Sequence, residues 1–290
     1  TSVPAQLVRA HDTSPALPSG VTLSDGEAML CTAPARPHDT LEEVTISLNS
    51  QQFTMSSATL QRPQFARLTA LVPDTGPSLG GTTVVVHGTD LLAGTNESRV
   101  CAFQKYDDSV ELVAASVASS SVATCITPLL AAEPVSGEVR GRPLHQWFRS
   151  GLVTFSYNLQ DYTTDNVSFT YYPPIVVSHI SPVTGPREGD TLITLSGAFS
   201  ELGSEYICRF DENTSSVVVA TRRSYNVLLC QAVPLVSGVH RISVSLNGQQ
   251  FTMVNASLTT YSVPEVYNIT PRSGPVSGDT LVTLSGSGLS

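Results

Sequence analysis

An eighteen-residue block recurs three times, starting at Leu71, Ile180 and Ile269. The first copy reads Leu71-Val72-Pro73-Asp74-Thr75-Gly76-Pro77-Ser78-Leu79-Gly80-Gly81-Thr82 and runs on as Thr83-Val84-Val85-Val86-His87-Gly88. The second keeps Pro182, Gly185-Pro186, Gly189-Asp190-Thr191 and the run Leu192-Ile193-Thr194-Leu195-Ser196-Gly197. The third keeps Pro271, Gly274-Pro275, Gly278-Asp279-Thr280 and Leu281-Val282-Thr283-Leu284-Ser285-Gly286. Gly-Pro followed by Gly-Gly or Gly-Asp punctuates a turn, and the alternating run behind it has the period of a half-buried strand. Recurrence at this spacing means that the chain is an array of similar modules.

A second block marks the far end of each module. Ser47-Leu48-Asn49-Ser50-Gln51-Gln52-Phe53-Thr54-Met55 matches Ser245-Leu246-Asn247-Gly248-Gln249-Gln250-Phe251-Thr252-Met253, and Ser156-Tyr157-Asn158-Leu159-Gln160-Asp161-Tyr162-Thr163 is a degenerate version. Asn247-Gly248 between strand-like runs is a hairpin signal. The two blocks divide the chain into 1–64, the C-terminal part of a repeat, then 65–173 and 174–263, each complete, then 264–290, the start of another. A chain that enters and leaves in mid-repeat is expected to be a window on a longer array, with any leader or anchor outside it.

The cysteines fit the same ruler. Cys101-Ala102-Phe103 and Cys208-Arg209-Phe210 occupy matching positions, and each is followed by a second cysteine, Cys125 or Cys230. Pairing within each repeat, Cys101 with Cys125 and Cys208 with Cys230, is the economical reading, and loops this short contribute about 3 kcal/mol when closed without strain. The alternative is buried free thiols. Cys31-Thr32-Ala33-Pro34 matches the second member of a pair, so its partner is expected before residue 1. No Cys-x-x-Cys is present and the six histidines lack ligand spacing, so no metal or other cofactor is expected. Disulfides imply an oxidising compartment. Five of the nine asparagines, Asn96, Asn166, Asn213, Asn255 and Asn268, stand in Asn-x-Ser/Thr sequons, more than chance gives, and N-linked glycans are expected there.

Ile-x-Pro-x-x-Gly-Pro-x-x-Gly-Gly/Asp-Thr, an alternating strand, Cys-x-Phe and then Cys-x-x-Pro together resemble the IPT/TIG family of immunoglobulin-like domains. The resemblance covers nearly the whole chain. It implies an all-β chain of tandem immunoglobulin-like sandwiches arranged end to end, as in plexin-, fibrocystin-like and protist cell-surface ectodomains. A fold of this kind does not fix a function.

Three features depart from the pattern. Between Cys125 and Tyr157 the middle repeat carries about fifteen extra residues near 131–150, including Arg140, Arg142, His145, Trp147, Phe148 and Arg149. Aromatic and arginine side chains concentrate binding energy, so this loop is a candidate partner contact; the competing reading tucks Trp147 against its own sheet. Pro173-Pro174 joins two repeats without a flexible linker, which favours a stiff joint. Arginine almost wholly replaces lysine, for which the sequence offers no structural account.

Composition removes several function classes. The net charge is −9 and Lys105 is the sole lysine, so a phosphate-contacting stripe is lacking and a Rel-like DNA-binding role is disfavoured. No apolar run reaches the length of a membrane span, leaving membrane attachment to segments outside this piece. No nucleophile–base or Walker motif occurs, and consecutive copies fit poorly with an accessory domain of a carbohydrate-active enzyme. Calcium at Asp107/Asp108 or Asp161/Asp165 competes with plain solvated turns. The expected role is a non-enzymatic structural and adhesive segment of an extracellular or cell-surface glycoprotein. Its expected partners are other proteins or copies of itself; the alternative is the ligand-binding stalk of a signalling receptor.

Overall fold

The computed structural model describes residues 3–9, 27–35, 40–93, 98–105, 108–130, 138–139, 142–143, 148–211 and 215–289. Among these, every regular element is a strand. By compactness the chain divides into one unit of Thr1–Asp74, Thr83–Pro128 and Ser150–Phe169 and another of Thr75–Thr82, Leu129–Arg149 and Thr170–Ser290.

In the first complete repeat a four-stranded sheet runs in the order Ser116–Ser119, Val122–Ile126, Thr83–Thr89, Arg67–Val72. A five-stranded sheet runs Thr75–Pro77, Ser168–Tyr172, Arg149–Ser156, Val100–Gln104, Val110–Ala114. The alternating run after the turn does what its period requires: Val84 and Val86 are fully buried while Thr83 is exposed. With Leu68, Leu71, Leu91, Phe103, Val153, Phe155 and Phe169 they fill the space between the sheets, and the Phe103 and Phe169 rings meet edge to face at 6.3 Å.

The second repeat repeats the plan. Val176–Ser181, Leu192–Ala198, Val227–Gln231 and Thr221–Ser224 form its four-stranded sheet, and Thr184–Pro186, Thr252–Tyr261, Gly238–Ser245, Ile207–Phe210 and Val217–Val219 its five-stranded one. Ile180, Ile193, Leu195, Phe199, Phe210, Leu228, Ile242, Val244 and Leu258 form one continuous core. Outside these two sandwiches the described residues form further strand pairs, Ala5–Arg9 with Glu27–Cys31, Thr40–Val44 with Ala58–Arg62, and Glu265–Thr270 with Thr283–Ser287.

The recurring block has one geometry in all three copies. Pro73, Pro182 and Pro271 each follow a cis peptide bond. The carbonyls of Pro77, Pro186 and Pro275 accept hydrogen bonds from Gly80, Gly189 and Gly278 at 3.0, 3.2 and 3.0 Å. Gly80 and Gly81, Gly189 and Asp190, Gly278 and Asp279 all take positive φ, which glycine and aspartate tolerate best. One step lies beyond the sequence reading of two strands around a turn. Between them, Thr75–Pro77 and Thr184–Pro186 cross to the other sheet and pair in parallel with Ser168–Tyr172 and Thr252–Tyr261.

The Asn247-Gly248 hairpin also differs from a two-residue turn. The strands pair as far as Val244 and Thr252, leaving a longer loop closed by a side chain. Asn247 Oδ1 accepts from the amides of Gln249 and Gln250, both at 3.2 Å, and Nδ2 donates to Gln250 Oε1 at 2.6 Å. Asn49 does the same with Gln51 and Gln52, and Asn158 with Gln160 and Asp161, so even the degenerate copy keeps the device.

Candidate interaction surface

Each complete repeat is pinned through its centre. Cys101, in Val100–Gln104, is bonded to Cys125, in Val122–Ile126, across the gap between sheets, with Cα atoms 6.4 Å apart. Cys208 in Ile207–Phe210 is bonded to Cys230 in Val227–Gln231 at 6.2 Å. All four residues are buried, so the bridges belong to the cores and leave the outer faces and loops to make contacts. Cys31 is exposed and unbonded.

The loop singled out in the sequence is only partly described. Arg140, His145 and Trp147 lie outside the described residues, and of Arg142 only the backbone is placed, in Arg142–Pro143 paired with Glu138–Val139. Phe148 is half exposed, and Arg149 opens the strand Arg149–Ser156, its Nη1 donating to the Phe148 carbonyl at 3.3 Å.

The sequons divide similarly. Asn96 and Asn213 lie outside the described residues, and Asn255 is placed by its backbone within Thr252–Tyr261. Asn166 is exposed. Asn268 is exposed too, but its Nδ2 donates to Thr270 Oγ1 at 3.3 Å and its Oδ1 accepts from Arg272 at 3.0 Å.

Sequence reasoning missed the outer face of the five-stranded sheet in the first repeat. A shallow groove of about 290 Å³ lies there, lined by Gln104, Lys105, Asp108, Ser150, Leu152 and Ser168 among others. Lys105 is paired with Glu111, and Gln104 Nε2 donates to Asp108 Oδ1 at 3.2 Å. Val110 and Leu112, on the edge strand Val110–Ala114, and Leu152, on the central strand Arg149–Ser156, are 57%, 45% and 42% exposed, an aliphatic strip across the face. The signal was available in principle: Val110 and Leu112 alternate with Glu111 and Val113, but alternation alone does not say which face is out.

Of the acidic residues weighed for calcium, Asp107 lies outside the described residues, and Asp108, Asp161 and Asp165 have other work. Asp161 accepts from Asn158, while Asp165 accepts from the Leu68 amide at 2.7 Å and faces Arg67. Among the described residues no three His, Cys, Asp or Glu side chains come together as a metal site. The perturbed groups are phenols. Burial pushes the pKa of Tyr172, Tyr206 and Tyr157 up, with Tyr206 adding to the effect at Tyr172 and Asp161 at Tyr157.

Sandwiches of this topology, each with one disulfide between its sheets, define a tandem immunoglobulin-like protein. The IPT/TIG domain model matches residues 66–171 and again 174–261, and the chain belongs to that family. Mouse (Mus musculus) Plexin-A2 is 29% identical over 126 residues, covering 43% of this chain and 6% of that protein. Mouse Plexin-B2 is 28% identical over 126 residues, covering 40% and 6%. Among solved structures, the full extracellular region of plexin A4 superposes with a TM-score of 0.51 at 18% identity, covering 94% of this chain and 22% of that one, a likeness of fold. The chain thus spans a small fraction of the curated relatives it matches. Family and disulfides together assign the repeats to an extracellular or cell-surface ectodomain.

Proposed function

We propose that these repeats form a non-enzymatic structural and adhesive segment of a cell-surface glycoprotein, engaging other proteins or other copies of the same chain. The observation that carries this is the pinning of each family-matched repeat by its own buried disulfide. A core fixed from within leaves outer faces and inserted loops, such as the one ending at Phe148, to vary and bind. Beads coated with the secreted chain should cluster with one another or adhere to cells. Beads that stay dispersed and bind no cell type would contradict the adhesive role.

The likeness to plexins favours a second reading, in which the repeats are the stalk of a signalling receptor. Under it, the full coding sequence contains a membrane-spanning helix followed by a cytoplasmic signalling domain. A long succession of further repeats with no such domain would argue for the purely adhesive reading.

A further inference from the structure

The outer faces of the two complete repeats differ at one matched position. In the second, Arg209 stands between Cys208 and Phe210, its guanidinium lies 3.9 Å from the centre of the Phe251 ring, and its Nε donates to Ser243 Oγ at 3.3 Å. Arg209 thus lies over its own sheet, while Val217 and Val219 on the neighbouring edge strand stay 38% and 80% exposed. In the first repeat Ala102 occupies that place, between Cys101 and Phe103, with Leu112 directly opposite it on one side and Thr154 on the other. A methyl group covers nothing. Val110 and Leu112, on the edge strand Val110–Ala114, and Leu152, two strands further in, stay open to solvent, an aliphatic patch of the kind that invites contact with other chains.

Asn166 borders this face. The Val153 amide donates to the Val167 carbonyl at 2.9 Å, which holds Asn166-Val167-Ser168 extended beside the strand Arg149–Ser156. Asn166 and Ser168, two apart, are both exposed while the Phe169 that follows is fully buried, so they share the outer face. Ser168 lines the groove together with Leu152 and Gln104. The sequon hydroxyl and the aliphatic strip are therefore parts of one surface. The same sequon stands at the matching place in the second repeat: Asn166 precedes Tyr172, and Asn255 precedes Tyr261, by six residues.

We propose that Asn166 carries an N-linked glycan whose first sugars lie over Val110, Leu112 and Leu152. This rests on the extracellular reading, since the modification requires export. The Asn166 Nδ2 forms a bond to C1 of the first sugar of a lipid-linked oligosaccharide diphosphate. The C1–oxygen bond to the diphosphate breaks, the lipid diphosphate leaves with the electron pair, and one amide proton is lost to solvent. The apolar C–H faces of the sugar rings match the aliphatic strip, and Gln104, Lys105 and Asp108 offer hydrogen bonds to sugar hydroxyls at its rim. A bulky, hydrated substituent there blocks access to the edge strand.

The test uses the whole chain secreted from cultured cells, with peptide mass spectrometry for occupancy of each sequon and an environment-sensitive apolar dye for the exposed face. The expected result is a glycan on Asn166, and a rise in dye fluorescence of roughly twofold or more in Asn166→Gln, in Ser168→Ala and after enzymatic deglycosylation of the folded chain. Adding Leu112→Ser and Leu152→Ser to Asn166→Gln is expected to cancel the rise. An unoccupied Asn166 on a chain whose other sequons are filled, or dye binding unchanged by loss of the glycan, overturns the proposal and leaves the extracellular reading intact. A chain that is not exported and keeps its thiols reduced overturns both.

Discussion

Gly197 lies so close to Val176 that a Cβ at position 197 would sit 2.0 Å from the Val176 carbonyl oxygen, far inside van der Waals contact. The first strand bulges at this point, its register shifting between Val177 and His179. Gly88 faces the Arg67 carbonyl, and Gly286 that of Glu265, beside bulges at Leu68/Ala70 and Val266/Asn268. The glycine closing each recurring block is thus where two backbones touch. Gly197→Ala should destabilise the second repeat by roughly 2–3 kcal/mol, because either strand must shift to admit the methyl group. Urea unfolding followed by fluorescence measures this; an unchanged midpoint would show that the bulge yields at no cost.

His240 is buried in the second repeat and bonded at both ring nitrogens. Nδ1 meets Asp211 Oδ2 at 2.5 Å, and Nε2 reaches the Val236 carbonyl at 2.7 Å and Thr260 Oγ1 at 3.0 Å. The other Asp211 oxygen accepts from the Arg241 amide at 2.9 Å. Asp211→Ala leaves a buried donor without its acceptor and should cost roughly 1–3 kcal/mol, while Asp211→Asn, which keeps an acceptor and tolerates the positive φ of 55° there, should cost less. Equal losses in the two variants, measured by denaturant titration, would show that the hydrogen bond contributes nothing.

How much of this was legible beforehand depends on the range of the interaction. Turns set by Gly189-Asp190 and the alternation of Leu192 to Leu195 are local, and so are visible in the order of residues. The parallel crossing of Thr184–Pro186 to Thr259, Thr260 and Tyr261 joins segments far apart in sequence and carries no local mark. The aliphatic strip at Val110 and Leu112 was hidden for a similar reason, since only their register, opposite Gln104 and Ala102, turns them outward.

Asn247, Asn158 and Asn49 show the reverse, a local device visible in the sequence as a repeat, with the hairpin at Asn247 expected but the side-chain closure of its loop not. Asn247→Ala should cost about 1 kcal/mol and raise amide exchange at Gln249 and Gln250, whose N–H groups lose their shared acceptor. Asn158→Ala should do the same at Gln160 and Asp161. Exchange unaltered in both loops would show that the backbone alone holds the turn.

Tyr206 gives an alkaline signature. Burial pushes its pKa above the ordinary 10.0, Arg222 and the Gly203 backbone partly offset this, and its hydroxyl donates to the Ser200 carbonyl at 2.9 Å. A phenol raised in this way contributes stability that is fully present below the unfolded-state value and is lost as the pH climbs through the folded-state one. The second repeat should therefore weaken above pH 10. Tyr206→Phe should flatten that decline, as read from denaturation midpoints across the alkaline range; an identical decline would assign it to other groups.

Peptide mapping of the unreduced, secreted chain asks directly whether successive stretches close on themselves. The expected products are one peptide pair joined through Cys101 and Cys125 and one through Cys208 and Cys230, with Cys31 in neither. Peptides linking a cysteine of residues 66–171 to one of 174–261, or four free thiols, would contradict the account of independent, internally cross-linked sandwiches.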